Sequence, residues 1–80
     1  MTKIEETRYR RIHKTLGPGN YKRIGRDVGV SPQHVSRFLR GIKGATFVMA
    51  SEIGDSSDVG LDDIRWFIER NVEKQLALAA

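Results

Sequence analysis

Eighty residues make one domain near the lower limit of what folds unaided, with a single modest core. No cysteine is present, which excludes a disulfide framework and a cysteine zinc site. No apolar run approaches the ~20 residues that a membrane helix needs. The net charge of +4 is unevenly split: residues 1–43 hold eleven Lys/Arg against three acids, giving +8, and residues 44–80 hold three against seven, giving −4. That asymmetry predicts one polyanion-facing end and one facing solvent or protein.

Thr2-Lys3-Ile4-Glu5 has the form of a capping box and opens a first helix. Ile4, Tyr9, Ile12 and Leu16 follow at roughly helical spacing, with Arg8, Arg10, Arg11 and Lys14 between them. Gly17 suits a left-handed cap and Pro18 cannot continue the turn, so the helix stops there. Asn20 is a good N-cap for a second helix, Tyr21 to Val28, which Gly29 ends. Ser31 then favours an N-cap and Pro32 a first helical position, which starts a third helix running through Val35, Phe38 and Leu39 to a cap at Gly41. The intervening turn of three or four residues is the spacing of a helix-turn-helix over residues 21–40.

Ile42-Lys43-Gly44 reads as a loop. From Ala45 to Ile53, Thr46, Phe47 and Val48 favour strand, whereas Phe47, Ala50 and Ile53 at three-residue steps favour a short helix. Helix is the preferred reading, with Gly54 as its C-cap and Asp55-Ser56-Ser57-Asp58 as a polar loop. A last helix, about residues 61–78, opens with Leu61-Asp62-Asp63, where acids suit the N-terminal dipole. It carries too many apolar groups for one narrow stripe. The terminal Leu78-Ala79-Ala80 are good helix formers at a frayed end.

The paired helices need specific inward residues. Ile24, Gly25 and Val28 turn inward from the first, with Gly25 where the two helices come closest, and Gly29 tolerates φ > 0 in the turn. Val30 plugs the gap under that turn, and Val35 and Phe38 face in from the second helix. Gln33, His34, Ser36, Arg37 and Arg40 are left outward, and Pro32–Arg40 contains no acid. This set resembles the helix-turn-helix superfamily of phage repressors and Cro proteins, tightly over residues 21–40 and loosely over 4–68. Gly25 is the one mild departure, alanine being commoner there. Residues 28–37 also look like a lactose-repressor headpiece, but no hinge or sugar-binding domain follows them. The resemblance implies an all-α, compact four-to-five-helix bundle, lambda-repressor-like, that binds double-stranded DNA as a transcriptional regulator.

On that resemblance, base-reading roles fall to Pro32, Gln33 and Arg37, with Ser36 beside them. Gln can pair bidentately with adenine and Arg with guanine, and Pro32 offers only apolar contact. Phosphate contacts are expected from Asn20, Tyr21, Lys22, Arg23, Arg40 and Lys43, which surround that helix. One or two of the basic residues of the first helix are expected to join them, while Arg26 can pair with Asp27 instead. Trp66, Phe67 and Ile68 in succession cannot all enter one small core. With Val72 and Leu76 they are expected to form a homodimer interface, which would present two reading helices to successive turns of an inverted repeat.

Other chemistries fail on the residues. Asp55–Gly60 mimics a calcium loop, but Val59 falls at a ligand position and Trp66 stands where Glu is required. His13 and His34 make no metal cluster, and neither sits in a catalytic plan with a serine or a carboxylate pair. The expectation is a non-enzyme without cofactor or small-molecule ligand. Met1-Thr2-Lys3-Ile4-Glu5-Glu6 lacks the plan of a secretory signal, so it should be cytoplasmic. The alternative is an antitoxin-like protein-interaction module of the same fold that does not read DNA.

Overall fold

A computed structural model describes residues 1–41 and 46–79. The expected loop Ile42-Lys43-Gly44, with Lys43 as a phosphate contact, lies outside them, as do Ala45 and Ala80. Among the described residues all regular structure is helical: α1 Lys3–Leu16, a short 3₁₀ turn Pro18–Asn20, α2 Tyr21–Val28, α3 Pro32–Leu39, α4 Phe47–Ser57 and α5 Leu61–Ala79. None of these helices is long and apolar enough to cross a membrane.

Local chemistry sets most helix ends. The capping box on α1 is complete: Thr2 Oγ1 accepts from the Glu5 amide at 3.2 Å, and Glu5 Oε1 accepts from the Thr2 amide at 3.0 Å. Those bonds hold the Glu5 carboxyl below its usual pKa, the Thr2 backbone amide being the largest cause. Ser31 and Thr46 cap α3 and α4 with their hydroxyls alone, which accept from the His34 and Met49 amides. Two expected caps differ. Gly17 is extended (φ −78°, ψ 177°), not left-handed, and a Cβ there would press on the His13 carbonyl. Asn20 does not cap α2 with its side chain, because the 3₁₀ turn runs straight into that helix. Its amide instead donates to the Lys14 carbonyl at 2.9 Å, one of the carbonyls that α1 leaves unpaired.

The fourth helix corrects two further expectations. Gly54 lies inside α4, and Asp55, Ser56 and Ser57 form its last turn. The left-handed cap is Asp58 (φ 55°). Gly54 is there for packing: a Cβ would lie 2.7 Å from the Val59 carbonyl oxygen and 3.1 Å from Ile64 Cδ1. Its small size lets α4 close onto the start of α5.

All five α-helices feed one core. Leu16, Ile24, Val35, Leu39, Ile53 and Ile64 are wholly enclosed, and Ile12, Phe38, Ala50, Phe67 and Ile68 complete it. No buried polar or charged residue interrupts it among the described residues. Each large aliphatic or aromatic group there contributes about 1.5–3 kcal/mol of transfer free energy. Two residues expected on inward stripes lie outside. Ile4 is 83% exposed and Phe47 is 71% exposed, because each sits in the first turn of its helix, where the chain has not yet reached the core.

Candidate nucleic-acid interface

The pair α2–α3 is built around its turn. Gly29 adopts φ 86°, a conformation that costs a side-chain-bearing residue about 1 kcal/mol or more. The Gly25 carbonyl accepts from both the Gly29 and Val30 amides, at 2.7 and 2.8 Å. A Cβ on Gly25 would sit 2.5 Å from the Val30 carbonyl oxygen and 3.3–3.4 Å from Ser31 and Pro32 backbone atoms. The glycine is therefore required by the turn and the first residue of α3, more narrowly than by contact between two helix bodies. Val30 packs, partly buried, against the core as expected.

Both ends of α3 are held. At its start, Ser31 Oγ accepts from the His34 amide at 3.1 Å and Pro32 occupies the first turn. At its end, Gly41 turns left-handed (φ 75°). Beyond that, two side-chain amides of α5 reach the last carbonyls: Asn71 Nδ2 donates to Leu39 O at 2.9 Å and Gln75 Nε2 to Arg40 O at 2.7 Å.

Between these ends Val35, Phe38 and Leu39 are buried, and Pro32, Gln33, Arg37 and Arg40 are exposed. Gln33, Arg37 and Arg40 are spaced four and three apart, so they share one outward stripe. Ser36 and His34 are half-buried beside it, and the Ser36 carbonyl accepts from Arg40 Nε at 3.4 Å. All four residues expected to read bases thus reach one open surface, Ser36 least of them.

The expected phosphate contacts divide. Lys22 and Arg40 are exposed and form no ion pair among the described residues. Asn20 is engaged with α1, and Tyr21 packs half-buried against the core while its amide donates to Pro18 O. Arg23 is committed elsewhere. Its guanidinium lies 3.4 Å from Asp27 and donates to the Ser56 carbonyl at 3.2 Å, while Ser56 Oγ donates to Asp27 at 2.8 Å. Asp27 is the only acid between Glu6 and Glu52. It is taken by Arg23, not by Arg26, which is exposed. Arg23 is corrected to a tie between α2 and α4.

The first helix splits similarly. Arg8 is paired to Asp63 at 2.7 Å, Arg11 approaches the same carboxylate at 3.7 Å, and Arg10 and Lys14 line an open groove with Lys74 of α5.

The expected dimer residues are largely used within the chain. Phe67 and Ile68 are 2% and 7% exposed and belong to this chain's own core, so neither can meet a partner. Trp66 is half-buried between the Arg8 and Arg70 guanidiniums, 4.3 and 5.5 Å from its ring. Val72 covers Gly41, where a Cβ would collide with its methyl. Leu76 is 65% exposed, and Leu78 beyond it is 88% exposed. The three successive apolar residues do fit one molecule, because α1, α3 and α4 all pack on α5 and the arginines shield the indole.

Sequence reasoning missed Asn71 and Gln75, and placed Tyr9 on the helical stripe of α1 without its hydroxyl's role. Tyr9 Oη donates to Asn71 Oδ1, and burial pushes the phenol pKa up. The signal available was two polar amides four residues apart in an amphipathic helix, a pattern that says little until the partner helix is placed.

No family model, no curated protein and no solved structure matches this chain.

Proposed function

We propose that this protein is a sequence-specific, double-stranded-DNA-binding transcriptional regulator that lays α3 in the major groove. The observation that carries this reading is the surface of α3. Gln33, Arg37 and Arg40 form an exposed, acid-free stripe on a helix held at both ends, and neither arginine has an ion-pair partner among the described residues. Pro32–Arg40 holds no acid, and Asp27, the only acid of α2, is taken by Arg23.

In the complex, Arg37 donates bidentately to a guanine edge and Gln33 pairs with an adenine, each giving roughly 1–3 kcal/mol of discrimination. Pro32 meets a thymine methyl and Ser36 lies alongside. Lys22 and Arg40 neutralise phosphates to either side, which positions the helix without reading sequence. The protein acts in the cytoplasm as a repressor of a phage- or plasmid-type control region. It binds as a homodimer to an inverted repeat, because one module of this size gives too little specificity alone. Exposed Leu76, with Leu78, is the apolar surface that supports association through the end of α5.

Selection of bound sequences from random duplexes tests this. Wild type should yield a two-fold repeat, and Arg37→Ala should relax one position in each half-site. Retention of all sequences equally by both proteins would refute base reading. Sedimentation of Leu76→Asp beside wild type tests the dimer, which the variant should dissociate.

A further inference from the structure

The recognition surface is carried by a helix of eight residues, too short to hold its own shape in water. Its N-terminus is fixed locally, by Ser31 and Pro32. Its C-terminus is turned locally at Gly41, but the last carbonyls of a helix lack intrahelical partners, and here two consecutive ones, Leu39 and Arg40, receive their donors from α5, more than thirty residues away.

The donors are arranged as a unit. Asn71 and Gln75 are four apart on one face of α5, so their amides meet adjacent carbonyls of α3. Val72, between them, presses on Gly41, which has no side chain to hold it off. The Asn71 amide is itself oriented, since its oxygen accepts from the Tyr9 hydroxyl and its nitrogen is thereby turned to Leu39. Tyr9 in turn packs on Phe67, ring centroids 4.9 Å apart, with the Lys74 ammonium 3.9 Å from its own ring centroid. A relay of one hydroxyl and one amide thus joins α1, α5 and the end of α3.

From this geometry we propose that Asn71 and Gln75 are positioning residues for DNA reading: α5 sets the pose of α3, and with it the direction in which Arg37 and Arg40 project. Neither amide needs to touch DNA. This rests on the DNA-reading function proposed above. Bidentate pairing with a base edge is sensitive to small displacements, whereas phosphate attraction is not. Loss of the clamp therefore degrades specific binding and spares the nonspecific kind.

The test compares wild type with Asn71→Ala/Gln75→Ala, well below the melting temperature of both, on the selected duplex and on random duplex at one salt concentration. The double variant should lose about tenfold in affinity for the selected duplex and nothing for the random one, from two hydrogen bonds of ordinary strength. Asn71→Asp, which still accepts from Tyr9 but cannot donate to Leu39, should lose part of the same ratio. Equal losses on both duplexes, or no loss, would overturn the positioning role. Hydrogen exchange provides an arm that does not depend on DNA. The Arg40 and Gly41 amides should exchange about tenfold faster in the double variant while those of α2 are unchanged. Unchanged exchange at Arg40 and Gly41 would overturn the clamp. A wild type that binds all duplexes equally while exchange responds as expected would refute the DNA-reading function and leave the clamp standing.

Discussion

Along the seam between α1 and α5, Arg8 and Arg11 share Asp63, and Arg70 reaches Glu5 at 3.5 Å and Glu73 at 3.1 Å. On the α2–α3 side, Arg23 takes the one carboxylate, while Lys22, Arg26, Arg37 and Arg40 meet none among the described residues. The same residue type does two jobs, and the local supply of acid decides which. Asp63 of the acidic C-terminal half meets Arg8 and Arg11 of α1, so part of the N-terminal excess is spent inside the molecule. Among the described residues, Lys22, Arg26, Arg37 and Arg40 stay unpaired on the α2–α3 side, and Lys3, Arg10, Lys14, Arg65 and Lys74 stay unpaired on α1 and α5. Total charge overstates the surface available to a polyanion, and the ion-pair pattern removes Arg8, Arg11, Arg23 and Arg70 from it.

Four substitutions and one titration would break or sharpen this contrast. The largest effect is expected from Gly25→Val, whose side chain has backbone in its way at the turn. It should cost roughly 3 kcal/mol of stability, read by urea denaturation, since the obstruction cannot rotate aside. A neutral result would mean that the turn is not tightly determined. Arg37→Ala comes next, with a loss of about 1–3 kcal/mol in binding to the selected sequence and no change in melting temperature. Its mirror on the seam is Arg8→Ala, which should lower stability by about 1 kcal/mol or less, given its partial exposure, and leave DNA affinity intact. If Arg8→Ala weakened DNA binding and Arg37→Ala weakened folding, the division between the two regions would be reversed. Lys22→Gln should weaken binding to all duplexes alike and reduce the slope of log affinity against log salt by about one.

The smallest effect concerns Glu5. Its carboxyl titrates below the ordinary value because it accepts from Thr2. The bond's contribution is complete above the unfolded pKa and is lost as pH falls through the lower folded one. An NMR titration should show that depression in wild type and its reduction in Thr2→Ala.

Much of this molecule was legible from its residues. Thr2 with Glu5, Ser31 with Pro32, and Gly29 announced helix ends because capping depends on groups within four residues of one another. The outward stripe of Gln33, Arg37 and Arg40 followed from helical periodicity once Val35 and Phe38 were assigned inward. Where expectation failed, a distant partner had intervened. Gly54 looked like a terminator and proved to be a contact with Val59 and Ile64. Arg23 looked like a phosphate ligand and proved to be held by Asp27 and Ser56. Phe67 and Ile68 looked surplus to one core until α1, α3 and α4 were packed on α5.

By itself, then, the sequence determined the helices, several of their ends and the face that α3 turns outward, all properties of short-range sterics and hydrogen bonding. Only the tertiary structure decided which charges stay open and which are paired. It also decided that the last carbonyls of α3 are held by Asn71 and Gln75. Those choices depend on which side chains come within about 3–4 Å across helices far apart in the chain, a distance over which hydrogen bonds and ion pairs form and which no local pattern encodes.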